Sequence, residues 1–94
     1  MSVYFVIQEE IHDEEALVEY REKARAASGG GKVLALDNAP LAIEGAWHGG
    51  RCVIIEFEDE AAFRAWYDSP AYQEALAIRL AATDSRSGLV HGVS

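Results

Sequence analysis

Hydrophobic and polar positions along the chain follow two different periods, and the switches between them mark out the elements. Residues 3–7 form a β-branched and aromatic run, too short for a typical helix, and predict a strand. Val3, Phe5 and Ile7 share one of its faces; Tyr4 and Val6 share the other, with Gln8 following. Charge then appears abruptly, and Asp13 is placed to cap a helix whose first turn carries Glu14 and Glu15. Leu17, Tyr20, Ala24 and Ala27 recur at helical spacing until Gly29-Gly30-Gly31 stops the pattern. Residues 32–36 predict a second strand, and Asp37-Asn38-Ala39-Pro40 a turn. Residues 41–44 read as a small extension or extra strand, and His48-Gly49-Gly50 as a second turn. The clearest strand is 51–57, with Val53, Ile55 and Phe57 on one face and Cys52, Ile54 and Glu56 on the other. Asp59 caps a helix carrying Phe63, Trp66 and Tyr67. Ser69-Pro70 interrupts it and starts another, with a serine cap and proline at the first helical position. Tyr72, Leu76 and Leu80 give this last helix a buried stripe, and residues 89–93 after Gly88 predict the closing strand.

The order is β-α-β-β-α-β with the second helix broken in two. Two such halves interlock as a four-stranded antiparallel sheet with the helices on one face, an α+β ferredoxin-like sandwich. The first and third strands are apolar on both faces over most of their length, while the helices cover only one. The uncovered face therefore calls for a second copy of the chain, packed sheet to sheet in a homodimer, unless the segment 41–50 folds over it instead. Burying about 600 Å² of apolar surface per chain there is worth roughly 15 kcal/mol before association costs.

Composition narrows the classes of function. Ninety-four residues suit one domain spanning 1–94, and half of them are hydrophobic. Sixteen acidic residues against eight basic give a net charge of −8, which repels phosphate backbones and anionic lipid headgroups; no nucleic-acid or membrane partner is expected. A single cysteine excludes an intrachain disulfide and any C-x-x-C site. With no signal-peptide pattern at its start, the chain is expected to be cytoplasmic. Gly29-Gly30-Gly31-Lys32 follows a helix and lacks the Ser or Thr of a phosphate loop, and no dinucleotide fingerprint occurs, so no such cofactor is expected.

The segment Phe63-Arg64-Ala65-Trp66-Tyr67-Asp68-Ser69-Pro70-Ala71-Tyr72-Gln73 resembles the A-R-A-W-Y-x-S-P-E-Y signature of the DUF1330 family of small uncharacterised proteins. Further matches are Glu19-Tyr20-Arg21, Glu44-Gly45 followed by Trp47, Arg51 at the head of the third strand, Ile78-Arg79, and Leu89-Val90-His91-Gly92-Val93. The resemblance implies a dimeric α/β barrel. Glu14, Asp37-Asn38 and His91 depart from the family pattern. No activity comes with the family; the wider fold group includes cofactor-free monooxygenases, isomerases and small-ligand sensors.

Several residues are candidates for chemistry. Trp66 and Tyr67 lie about 100° apart on a helix, so one is placed to stack on a planar ligand while the other packs; the plainer reading has Trp66 in the core and Tyr67 at its rim. Trp47 and His48 precede two glycines at the entrance to the long strand, where an imidazole would carry protons; a solvent-facing turn histidine is the alternative. Arg79 interrupts an apolar stripe, placed either to bind a carboxylate or enolate or to pair with Glu56 or Asp84. Glu56, on an otherwise apolar strand, is a candidate general base, and Tyr4 and Gln8 are weaker candidates for polar contacts inside a dimer. Cys52 reads as a buried, inert thiol, and three irregularly spaced histidines suggest no metal site. The expected function is binding of a small metabolite in a cleft between helices and sheet. The alternatives are a cofactor-independent monooxygenase or isomerase acting through His48 or Glu56, and a structural dimer without a ligand.

Overall fold

The computed structural model describes residues 1–93. Seven elements follow one another: β1 (Val3–Ile11), α1 (Glu14–Ala26), β2 (Lys32–Asp37), β3 (Arg51–Phe57), α2 (Glu60–Tyr67), α3 (Pro70–Ala82) and β4 (Thr83–His91). The strands form one antiparallel sheet in the order β2-β3-β1-β4, the ferredoxin-like arrangement. None of the helices among the described residues is long and apolar enough to cross a membrane.

Local chemistry explains the helix boundaries. Asp13 and Asp59 each accept a hydrogen bond from a backbone N–H of the first turn they cap. Ser69 works in both directions: its hydroxyl donates to the Trp66 carbonyl at 2.7 Å and accepts from the Tyr72 N–H at 3.2 Å. The break between α2 and α3 is thus satisfied on both sides, and Pro70 occupies a first-turn position where no N–H is needed. Gly31 closes the passage from α1 to β2, where a Cβ would stand 2.3 Å from the Glu56 carbonyl oxygen. Only a residue without a side chain fits there.

Strand register sorts the sheet into rows. On the helix side, Leu89, Phe5, Ile55 and Val33 align across four strands, and His91, Val3 and Phe57 align beside them. An aromatic layer from α2 and α3 packs on these rows: Phe63 lies 5.0 Å from Phe5 and 5.3 Å from Phe57, and the Trp66 and Tyr72 rings are 3.8 Å apart. On the opposite side, Gly88, Val6, Ile54 and Ala35 form an apolar centre. It is flanked by Tyr4 and Val90 on one side and by Gln8, Cys52 and Arg86 on the other. Among the described residues no helix covers this side.

Three expectations need correction. β4 starts at Thr83, directly after α3, instead of at residue 89, and β1 continues to Ile11. Both extensions are mostly polar, so alternation of apolar residues gave no sign of them; they are strands because Ile11 pairs with Thr83 and Glu9 with Ser85. Residues 41–44 form no strand, and Leu41 and Ile43 are more than four-fifths exposed. The buried stripe of α3 runs through Tyr72, Ala75, Leu76, Arg79 and Ala82, leaving Leu80 exposed. Arg79 therefore does not interrupt the stripe but belongs to it.

Candidate functional site

The polar ends of the strands create the most unusual feature of the interior. Odd-numbered residues of β1 face the helices, so the pattern that buries Val3, Phe5 and Ile7 also buries Glu9, which is 3% exposed. Register sets Ser85 of β4 and Arg51 of β3 on either side of it. From above, α3 lowers Arg79, equally buried, onto the same row: its guanidinium donates to Glu9 Oε1 at 3.1 Å and to Ser85 Oγ at 3.2 Å. Arg51 Nε stands 3.7 Å from Glu9 Oε2, close enough for charge attraction and too far for a hydrogen bond. Thr83 completes the row, donating to the Arg79 carbonyl at 2.8 Å and lying 2.6 Å from Ser85 Oγ.

Aromatic groups continue from this row toward α2. The Arg79 guanidinium lies over the Tyr20 ring at 5.8 Å, the Tyr20 and Tyr72 hydroxyls are 2.9 Å apart, and Tyr72 packs on Trp66. Burial raises the Tyr72 phenol well above its ordinary range, with Tyr20 adding to the effect, so the hydroxyl stays protonated. Burial opposes the charge on Arg79, but Tyr72, Tyr20 and Glu9 outweigh it and hold the guanidinium protonated.

Beside this chain of contacts, between α1 and the sheet, opens a cleft of about 580 Å³. Its apolar walls include Ile7, Val33, Val53 and Ile55; Trp66, Glu9, Arg51 and Arg79 also line it. Among the described residues, three buried side-chain nitrogens have no hydrogen-bond partner, and all belong to this lining: Arg51 Nε, Trp66 Nε1 and Arg79 Nε. Each is a donor, unpaired and closed to the open space of the cleft in this arrangement.

Of the residues singled out from sequence, Arg79 and Trp66 come together in this lining. Tyr67 packs among Phe5, Phe63 and Tyr72, stacked on Phe63 at 5.2 Å. Tyr4, Gln8 and Glu56 lie on the helix-free side. So does the contact of His48, whose Nε2 is 2.9 Å from the Asp84 carbonyl oxygen, with the Asp84 carboxylate at 3.9 Å. Trp47 is 42% exposed in the β2–β3 connection. Next to it Gly49, at a φ of +78°, lies so close to the backbone of Glu9 that a Cβ would sit 2.2 Å from the carbonyl oxygen. Burial pushes the Cys52 thiol up, and Asp37 adds to the shift. Glu9, Tyr20, Arg51 and Tyr72 were not among the sequence candidates. A signal for three of them existed, since Tyr20, Arg51 and Tyr72 fall within segments that carry the DUF1330 resemblance.

Two measurements test this description. Glu9→Gln leaves two arginines beside an uncharged amide and is expected to cost about 3–5 kcal/mol of stability, read from a urea transition. Tyr72 has a raised folded value, so its contribution is fully present below the unfolded phenol value near 10 and is lost as pH rises above it. Stability is expected to fall above pH ~10; phenolate absorbance should show one tyrosine silent until unfolding, and a Tyr72→Phe variant should flatten the decline.

Comparison with known proteins adds the following. A protein of unknown function from Rhodopseudomonas palustris superposes with a TM-score of 0.82 at 23% identity, over 99% of this chain and 83% of that one. A dimeric ferredoxin-like protein of unknown function from Jannaschia sp. gives 0.71 at 16% identity, over 98% of this chain and 100% of that one. SnoaB, a cofactor-independent oxygenase from Streptomyces nogalater, gives 0.64 at 17% identity, over 99% of this chain and 94% of that one. At such identities these likenesses establish the fold alone. No curated protein matches the chain. The family pattern described as "Domain of unknown function (DUF1330)" matches residues 2–93, and with Trp66, Tyr67, Ser69 and Pro70 in the places its signature requires, the chain belongs to the DUF1330 family.

Proposed function

We propose that the cleft between α1 and the sheet binds a small metabolite, in a homodimer formed through the helix-free face of the sheet. The observation that carries the first part is the cleft itself: about 580 Å³ of space between apolar walls and a group of arginines. That volume lies within the roughly 300–1,000 Å³ of small-molecule sites, and its make-up, apolar walls with a few polar groups, is that of a binding pocket. A chain of this length has little stability to spare. Buried donors without partners weaken it further, and a ligand bound only by the native state offsets that loss.

Support for the dimer comes from the apolar centre at Val6 and Ile54, the neighbouring Tyr4 and Val90, and the exposed Leu41, Ile43 and Trp47 of the β2–β3 connection. The description of the Jannaschia protein as dimeric agrees with it. In such an assembly Tyr4 and Gln8 line the junction between sheets, and Trp47 and His48 lie at its margin.

The likeness to SnoaB favours a second reading, a cofactor-independent oxygenase. Two places offer proton carriers for it: His48 and Glu56 on the side of the sheet without helices, and Glu9 with Tyr20 at the cleft.

In solution the protein is expected to run near 20 kDa, about twice the 10.3 kDa chain, at micromolar concentration. Ile54→Asp should dissociate or unfold it; an unchanged dimer with an unchanged melting temperature would refute the proposed interface. A metabolite screen by thermal shift should give at least one hit, since a ligand at 100 times its Kd stabilises by about 2.7 kcal/mol. Oxygen uptake with an electron-rich phenol would establish the second reading. Its loss in His48→Ala or in Tyr20→Phe would say which side of the sheet reacts, and no uptake across the screen would leave the binder.

A further inference from the structure

We infer that the ligand of this cleft is an organic monoanion: a planar, unsaturated body that lies against Trp66 and carries a carboxylate received by Arg51 and Arg79. This rests on the reading of the cleft as a binding site and adds the chemical class that the site selects.

The first argument is where the charge lies. The chain has twice as many acidic as basic residues, yet four of its eight basic side chains, Arg21, Arg25, Arg51 and Arg79, line this one cleft, with Glu9 as the only carboxylate among them. A concave, low-dielectric surface of one sign concentrates ions of the other, so within a field that repels anions this cleft attracts them. Arg25 is exposed and Arg21 half-buried, which places them to draw an anion in; Arg51 and Arg79 lie deeper.

The second argument is valence. The inner set of Arg51, Arg79 and Glu9 carries one surplus positive charge, which a single negative charge cancels. Glu9 occupies one edge of Arg79, while the Nε of Arg79 and the Nε of Arg51 remain without partners. A carboxylate, with two oxygens and about four lone pairs, suits the arginine side chains that line the cleft.

The third argument concerns the body of the ligand. Ile7, Val33, Leu36, Val53 and Ile55 give it an apolar wall. Trp66, also in the lining, adds an aromatic edge to that wall. Trp66 is already packed against Tyr72, and Gly30 lies over its nitrogen edge, where a Cβ would come within 3.4 Å. The absence of a side chain at Gly30 keeps that edge uncrowded, and a flat molecule suits it better than a bulky one.

The test uses 2-naphthoate, its uncharged amide 2-naphthamide, and 2-naphthyl phosphate, titrated into the intact protein. The readouts are melting temperature and the two indole N–H resonances, with Trp47 as internal reference. The acid is expected to bind at least tenfold more tightly than the amide and to move the Trp66 resonance while leaving that of Trp47 in place. Arg51→Gln, in which Glu9 still neutralises Arg79, should bring the acid down to the affinity of the amide, and Arg51→Lys should restore part of the difference. Equal binding of acid and amide would overturn the anion assignment and leave the cleft a binding site. Tighter binding of the phosphate than of the acid would overturn the monoanionic carboxylate. If no probe shifts either the Trp66 resonance or the melting temperature, the ligand class and the binding reading fall together.

Discussion

The ion pair between Glu9 and Arg79 is the constraint on which the interior is organised. Both groups are as buried as the aliphatic core, and removing either charge from water costs several kcal/mol, which only close pairing and further hydrogen bonds recover. Ser85 accepts a further bond from Arg79, Arg51 adds charge attraction, and both stand beside Glu9 because β1, β3 and β4 are in register there. The pair also fixes α3 over the junction of β1 and β4, since a guanidinium reaching Glu9 leaves the helix little freedom to slide or rotate. The aromatic layer follows from that placement. Tyr72, two turns before Arg79 on the same stripe, meets both Tyr20 and Trp66.

Much of this was legible in the sequence where hydrophobicity carried the information. The centres of β1 and β3, the start of α1 at Asp13, and the division of the second helix at Ser69-Pro70 follow from alternation, capping and proline chemistry. The polar strand ends were not legible, because Glu9, Glu10, Thr83, Asp84 and Ser85 resemble a loop until their backbones are seen to pair. The partner of Arg79 was missed for the same reason. Glu56 and Asp84 were reasonable expectations from strand and helix positions, but both lie on the other side of the sheet, and only the parity of β1, carried past Ile7, puts Glu9 in reach. Reading Leu80 as part of the buried stripe made Arg79 look like an exception. A stripe running through 72, 75, 76, 79 and 82 makes it a member, with a polar partner waiting.

Charge is distributed unevenly in a way that composition conceals. A net charge of −8 describes the surface as a whole, and it argues against polyanionic partners. It says nothing of a cleft where arginines outnumber carboxylates four to one. The two sides of the sheet consequently present different chemistry. The helix side offers donors within an apolar enclosure, and the helix-free side offers an apolar centre bordered by Gln8, Arg86 and Asp37. Proteins of this fold with 16–23% identity share the scaffold, and a shared scaffold does not fix the chemistry of a site.

The register of β2 shifts between Val33 and Ala35, so that Leu34 falls out of step with β3. All six residues of this strand are exposed, and it forms one border of the sheet. A flat border with aliphatic side chains would invite strands from other molecules to add without limit. The irregularity kinks the backbone and breaks the even row of free amides and carbonyls that such growth requires. The rim is thereby a poor place for foreign strands to dock, and the running on into fibres that an even border permits is opposed.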